Sequence, residues 1–580
     1  MAGIGLVLNT AKDGLLTQQY AMNVVGHNIA NVSTDGFSKQ TAVIGARTPC
    51  PYGGFIFGRG AELQEIKREM DTFVETSLRN STSGYSSLTE KEIYLSVLEG
   101  VFNENSGRSI NSQFDAFWNA WHDLSNNPSG SAERAVLIES GALLSQSFQD
   151  IQNDLDRFDL ELNLSMDAGA QQINQITSQI AGLNKQIISM EITGNANDLR
   201  DRRDTLIRSL SEYLDVNVFE EGEGHLTVTT GRGYTLVSKT DSYDLSFESG
   251  RVRWQGSSGS VDITDTIKGG KMGGWLEVRD EIIPKYKDEL HELAGAVIWE
   301  VNNIHSRGVG LKGMSSVTGT YAVSDTNAAL VENDTTEETS GLAFRDRISE
   351  GEFKIRVYNS SGELVEPPAE ITIDETTTLN DLVSTIDTEA HLTASVSDGK
   401  LTLTADSGSG YTFAFSDDTS GVLAALGINT FFKGADAQDI TMNDALVKDR
   451  DLIAAGRVYD DGLFYAGDNS NARSLAALKD EKVTLNRYTY DGDSTSGEDT
   501  FQGYYTYLVG SVGIKSASVR REQEYAEVVV NQLTEKRDNT SAVSLDEEMT
   551  NLIKYQHAYA AAAKLVSTAD EMLQTLLATR

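Results

Sequence analysis

The two ends of this chain carry the same seven-residue apolar repeat. From the N-terminus, apolar or small residues fall at Ile4, Leu8, Ala11, Leu15, Met22, Val25, Ile29 and Val32, in alternating steps of four and three, with Gln18 the one polar break. Near the other end Leu545, Met549, Leu552, Tyr559, Ala563, Val566, Leu573 and Leu577 repeat the alternation, broken at Gln556 and Asp570. Such a repeat keeps its side chains on one narrow stripe, the seam of a coiled coil rather than the broad face of an ordinary core helix. A lone stripe would leave apolar side chains in water, so helical material from both ends is expected to meet. Seams at both termini point to a structural protein that assembles.

The 580 residues exceed what one hydrophobic core serves, so several domains are expected. The formal charge of −38 disfavours nucleic acid and anionic lipid as partners. Cys50 is the one cysteine, so no intrachain disulfide can form. Only six prolines are present, well below the usual ~5%. Few X–Pro bonds leave few slow isomerisation steps, which suits a chain that unfolds, travels and refolds. No apolar run reaches the ~18 residues of a membrane-spanning helix. The N-terminal stretch lacks a basic flank, and Lys12 and Asp13 interrupt it. A cleaved signal peptide is not expected, and life outside the cell requires a non-cleaving export route.

Residues 1–32 read as one helix, ended by the turn chemistry of Ser33-Thr34-Asp35-Gly36. The Gly-, Thr- and aromatic-rich stretch 37–60 reads as extended or irregular. Helical periodicity is expected over 61–99 and 110–124. It continues from Ser131 to about Gly194, broken by Thr193-Gly194-Asn195. A charged helix follows over 198–214, with Asp201, Arg202, Arg203 and Asp204 on its exposed face. At Val216 the period becomes two, predicting hairpins to about 265. Helix returns over 274–305, with Pro284 kinking it or marking the start of its regular part. Residues 316–440 are rich in Thr, Ser and Asp. Runs such as Phe353–Val357 and Leu401–Thr404 predict strands there, with a short helix over 379–386. The last part is helical again: a short helix over 472–478, a long one over 501–539, and one over 544–577 capped by a Ser544/Glu547 box.

Sites of chemistry are not evident. Gly308-Val309-Gly310-Leu311-Lys312-Gly313 fits the dinucleotide glycine pattern literally, but it follows a helix and opens none. The seven histidines are scattered, with no metal-ligand spacing. Cys50 lies between two prolines without an activating base. The acidic stretch 331–390 has no EF-hand spacing and reads as a solvated face. No catalytic, cofactor or metal residue is therefore assigned, and the expectation is a non-enzyme.

Asn28-Ile29-Ala30-Asn31-Val32-Ser33-Thr34-Asp35-Gly36-Phe37-Ser38-Lys39-Gln40 resembles the N-terminal signature of the flagellar rod, hook and hook-associated axial proteins. Within that family, Met1-Ala2-Gly3-Ile4, Gly58-Arg59-Gly60, Val301-Asn302-Asn303-Ile304-His305 with Gly308, Gly467 to Ala472, and Leu545 to Met549 through Tyr555-Gln556-His557-Ala558-Tyr559 resemble the members at the hook–filament junction. Residues 351–428 are similar to a small repeat inserted in flagellins and hook proteins. The resemblance implies a multidomain α + β, rod-like and flagellin-like layout: terminal helices paired as a coiled coil, a helical bundle, and inserted β-rich outer domains. The segments are then an N-terminal assembly helix and extended segment (1–60), bundle (61–215), small β region (216–270), returning helix (271–310), outer β-rich insertion (311–465), bundle (466–524) and C-terminal assembly helix (525–580).

The resemblance also implies a structural role, with Ile4, Leu8, Leu15, Met22, Val25, Ile29 and Asn31, and Leu545, Met549, Leu552, Tyr559, Ala563, Val566, Leu573 and Leu577, as assembly surface. Implied partners are further copies of the chain, hook protein, a second junction protein of the hook-associated protein 3 type, the filament, a cytoplasmic export chaperone at the C-terminal helix and the flagellar type III export apparatus. Neither nucleic acid nor membrane insertion is implied, and the final location is extracellular. Other axial roles (hook protein or flagellin) and a secreted adhesin using its outer domains are the alternatives. Narrow stripes bury too little in a monomer to offset ordering costs of ~1–2 kcal/mol per residue, so 1–60 and 525–580 are expected to order on assembly. Pairing of the two helices within one molecule is the competing expectation.

Overall fold

The computed structural model describes residues 2–52, 54–102, 109–192, 194–222, 224–257, 259–332, 340–365, 367–406, 408 and 410–578. Met1 of the N-terminal motif, Thr193 of the expected loop and part of the acidic stretch 331–390 lie outside them. The chain divides into two compact units. One comprises Met1–Tyr94, Glu161–Val278 and Ala517–Arg580, the other Leu95–Leu160 and Arg279–Ser516. No described helix is long and apolar enough to cross a membrane.

The first unit contains both termini. Helix Ala2–Ala30, 29 residues and so about 43 Å long, packs along helix Leu545–Ala578. Its other side is covered by an antiparallel pair, Gln40–Ala46 with Ala61–Arg68. The second strand corrects the sequence expectation of helix from residue 61. A bulge between Val43 and Ile44 leaves Gln64 unpaired, so Leu63 and Ile66 sit three residues apart on a strand and mimic helical spacing. Helix Thr72–Val101 begins only after Asp71, whose carboxylate accepts the Phe73 and Val74 amides at 2.9 and 3.2 Å. The period-two stretch forms two antiparallel sheets, Val216–Glu220, Leu226–Thr230, Thr235–Ser238 and Asp241–Ser242, then Leu245–Glu248, Arg251–Gly256 and Gly259–Asp262. They rest on residues of helix Ser131–Met190, where Asn174 exchanges bonds with the Leu245 backbone (both 2.7 Å).

Helix Asn197–Tyr213 does not carry all its charges on an exposed face, which corrects the sequence expectation. Asp201 and Arg203 are buried. Arg203 donates to Asn184 Oδ1 (3.0 Å), the Gly224 carbonyl (3.2 Å) and Glu220 (3.0 Å), so its charge is matched inside.

The second unit is built on aromatics. Helix Ile110–Asn126 buries Phe114, Phe117, Trp118 and Trp121 against Phe148, Phe431, Phe432 and Phe501. Helix Ile283–Ser306 follows a π-helical turn, Val278–Ile282, with Pro284 in its first turn, where a missing N–H costs no bond. The insertion forms two three-stranded antiparallel sheets. Gly351–Tyr358 lies between Ala369–Ile373 and Thr412–Ser416, with Ile355 opposite Ala369 and Phe415. Lys400–Ala405 lies between Leu392–Ser397 and Ser316–Thr318. The expected helix, Leu379–Ile386, is held by a Thr378/Asp381 capping box.

Candidate assembly site

The N-terminal helix ends at Asn31, whose side chain and backbone both donate to the His27 carbonyl (3.0 and 3.1 Å). Asn31 therefore caps locally. The turn runs through Gly36 at φ +74°, where a Cβ would lie 2.3 Å from Thr205 Oγ1, so only glycine fits. The chain then passes under the helix it has just left. Lys39 donates its amide to the Ser541 carbonyl at 2.7 Å, tying this segment to the end of helix Phe501–Ser541.

Asn28, one turn before the helix end, is fully buried and does more than cap. Its Nδ2 donates to the Gln40 carbonyl (2.8 Å) and to Glu548 Oε2 (3.0 Å), and its Oδ1 accepts the Gln40 amide (3.0 Å). One amide side chain thus joins the first helix, the returning strand and the last helix across 520 residues of sequence. Glu548 is as buried as Asn28. Its neighbour Glu547 pairs with Lys39 Nζ at 2.8 Å, which also reaches within 3.9 Å of Glu548. Glu547 is therefore engaged by Lys39.

Further bonds anchor the strand pair. Gln40 Nε2 donates to Asp198 (2.8 Å), and Ser38 donates its amide to Asp201 (3.1 Å). Arg68 reaches Asp201 (2.7 Å) and Asp204 (2.8 Å). Burial works against charge on Arg68, but Asp204 and Asp201 together outweigh it and hold the guanidinium above its ordinary pKa.

The covered edge of the last helix runs through Glu548, Leu552, Tyr555, Ala562, Val566, Ala569 and Leu573. Alternate positions are one residue out of step with the sequence stripe. Gln556 and Asp570 are not breaks in it; Tyr555 and Ala569 occupy those turns. The helices meet at Gly14, where an added Cβ would make an ordinary contact with Ala562 Cβ at 3.8 Å. On the first helix Ala11, Thr17, Ala21, Val24, Val25 and Asn28 are buried. Of the assembly residues named from sequence, Val25 is buried, and Ile4, Leu8, Leu15, Met22, Ile29, Asn31, Leu552, Ala563, Val566 and Leu573 are half-buried. Leu545, Met549, Tyr559 and Leu577 are exposed, as are Ile553, Leu565, Met572 and Leu576. Sequence reading missed Glu548 because the seven-residue stripe runs through its neighbour Met549, and a carboxylate beside it reads as solvated. Its partner Asn28 was visible only as a residue at a helix end.

In the second unit the mid-chain motif forms a comparable knot. Asn302 accepts the Phe431 and Phe432 amides (both 2.9 Å) and donates to the Phe432 carbonyl (3.0 Å). His305 is bonded on both nitrogens: Nδ1–H donates to the Asn429 carbonyl (2.7 Å) and Nε2 accepts the Ala454 amide (3.0 Å). Burial pushes the imidazole down to about 4. Asn471, from the Gly467–Ala472 motif, donates to the Ala454 carbonyl (2.9 Å), and a Cβ on Gly308 would lie 2.3 Å from its Nδ2. Gly310, in the literal glycine pattern, packs against Asp451, where a Cβ would lie 2.0 Å from the carbonyl oxygen. These motifs are staples, and their arrangement suits binding one's own chain rather than a substrate.

Three family models match parts of the chain. The helical-domain model of flagellar hook-associated protein FlgK matches residues 95–320. The flagella basal body rod protein model matches 8–37, and the C-terminal model of the flagellar basal body rod FlgEFG proteins matches 536–579. The chain is 26% identical to flagellar hook-associated protein 1 of Salmonella typhimurium, over 98% of this chain and 99% of that protein. It is 28% identical to the Bacillus subtilis protein of the same name, over 98% and 97%, and 25% identical to that of Escherichia coli, over 98% and 99%. A solved structure, the flagellar hook junction protein FlgK from Burkholderia pseudomallei, aligns with a TM-score of 0.49 at 17% identity, covering 81% of this chain and all of that one.

Proposed function

We propose, from the premise that this chain belongs to the flagellar hook-associated protein 1 family, that it is a structural component of the bacterial flagellum that joins hook to filament by helical self-assembly through its paired terminal helices. The observation that carries the reading is the helix pair itself. Asn28 and Glu548 join the two termini within one molecule, yet Leu545, Met549, Ile553, Tyr559, Leu565, Met572, Leu576 and Leu577 stay in water. An ordinary core helix does not leave that many large apolar side chains uncovered, whereas a helix awaiting neighbours does. The residues of the sequence stripe therefore divide between two tasks: half-buried ones hold the pair, and exposed ones face other subunits.

The partners follow from the same reading. Further copies of the chain lie beside it in the junction. Hook protein lies on one side, and a second junction protein and then the filament lie on the other. Before assembly the exposed row of the last helix is shielded by a cytoplasmic chaperone, and the chain leaves through the flagellar type III apparatus without cleavage. Segments 1–60 and 525–580 serve assembly, and the β-rich insertion 311–465 faces outward. The decisive experiment removes the protein from its bacterium. Cells should then still build hooks while shedding unpolymerised filament subunits into the medium. Normal filaments on such cells overturn the reading.

A further inference from the structure

One apolar feature of the first unit is exposed to solvent. Strand Phe55–Phe57 forms a two-stranded sheet with Cys50–Tyr52 among the described residues, and its side chains are 71% (Phe55), 80% (Ile56) and 40% (Phe57) exposed. The Phe55 and Phe57 rings meet edge to face at 6.4 Å, forming one compact knob. Single exposed apolar residues are ordinary, but three consecutive large ones on a two-stranded hairpin mark a contact surface.

The same unit carries a recess. An open groove of about 620 Å³ is lined by the Thr34–Phe37 turn and by residues of helices Ser131–Met190 and Asn197–Tyr213, among them Phe37, Leu183 and Leu206. No hairpin residue lines it. Its size lies within the range that holds a compact apolar group. Charge matches as well. Exposed Arg59, two residues beyond the knob, forms no ion pair among the described residues, and neither does Asp35 in the groove.

We propose that the Phe55–Phe57 knob of one copy seats in the groove beside Phe37 of the next copy, with Arg59 against Asp35. A second copy is the occupant because knob and recess lie on one chain without meeting. Such a heterologous contact repeats without closing and so propagates a helical array. The inference rests on the assembly reading above and names one of its interfaces.

Engineered disulfides test it. In a Cys50→Ser background, Ile56→Cys and Gln186→Cys, both at exposed positions, are introduced singly and together into the full chain in its own bacterium. Isolated hook–filament assemblies are then mildly oxidised. The double variant should give a thiol-reversible ladder in multiples of 63.1 kDa that neither single variant gives. Arg59→Asp should cut the ladder several-fold, and adding Asp35→Arg should restore it. Incorporation without a ladder, dimers from Ile56→Cys alone, adducts with another protein, or no loss with Arg59→Asp each overturn the contact while leaving the assembly reading intact. Absence of the unaltered chain from the assemblies overturns the assembly reading itself, and the contact with it.

Discussion

Two buried side chains show how much one residue can hold. Asn28 makes three bonds to two other elements, two to Gln40 of the returning strand and one to Glu548 of the last helix, and so ties three elements together. Asn28→Ala should cost about 1–3 kcal/mol by leaving Gln40 and Glu548 unpartnered. Asn28→Asp should cost more, since it sets a second carboxylate beside buried Glu548. Urea unfolding of the three proteins checks the order, and faster amide exchange at Val24 and Val25 locates the loss. His305 is the second case. Its pKa is about 4 in the folded protein against the ordinary 6.5, so the unfolded chain binds the extra proton. Stability from this group is complete above pH 6.5 and is lost as pH falls toward 4, about 3 kcal/mol in all. The physical reason is burial, which disfavours the charged ring, and Arg134 adds like charge nearby. The stability difference between the native protein and His305→Gln, measured from pH 7 to 4, should shrink across that window. A constant difference would contradict the assignment.

The helices show packing overriding pattern. Met549 and Ile553 touch the outside, so Met549→Ser with Ile553→Ser should leave monomer stability within about 0.5 kcal/mol while abolishing incorporation into the junction. Ala569 lies on the covered edge at 2% exposure, so Ala569→Leu should overpack the pair and cost about 1–3 kcal/mol. Thermal melts and recovery of the protein with filaments separate the two effects. In helix Ile283–Ser306 the ion pair Lys285–Glu289 (2.9 Å) is almost fully buried, and burial raises the Glu289 carboxyl above its ordinary value. Glu289→Leu alone should cost about 3–5 kcal/mol because it strands a buried ammonium, whereas Lys285→Met with Glu289→Leu should be neutral or stabilising. Equal losses in both proteins would show that the pair is a net stabiliser.

For the whole molecule, the outer insertion is less separable than its composition suggests. Removing 320–440 also removes Asn429, Phe431 and Phe432, the partners of His305 and Asn302, so that deletion should expose the second unit to protease. Removing only 351–416 keeps them. Its ends already lie together, with Ser349 bonded to Ser420 (3.0 Å) and Glu352 to Thr419 (2.9 Å), so a short linker can join them. That smaller deletion should resist limited proteolysis and still join filaments. Loss of surface attachment alone would favour the adhesin alternative for this part.

Much of this protein was legible in order along the chain. Both terminal helices, the hairpins from Val216, the strands and short helix of the insertion and the helix before His305 follow from periodicity, because a buried face repeats with the geometry of its own element. The motifs also marked where the knots lie. Their partners could not be read that way. Strand Ala61–Arg68 looked helical because a bulge displaced its phase, Asp201 and Arg203 looked exposed because charge alone does not show a matching partner, and Glu548 lay beside the stripe that its apolar neighbours defined. Each depends on groups distant in sequence, and only their meeting in three dimensions decides which polar side chains are buried and which apolar ones stay in water.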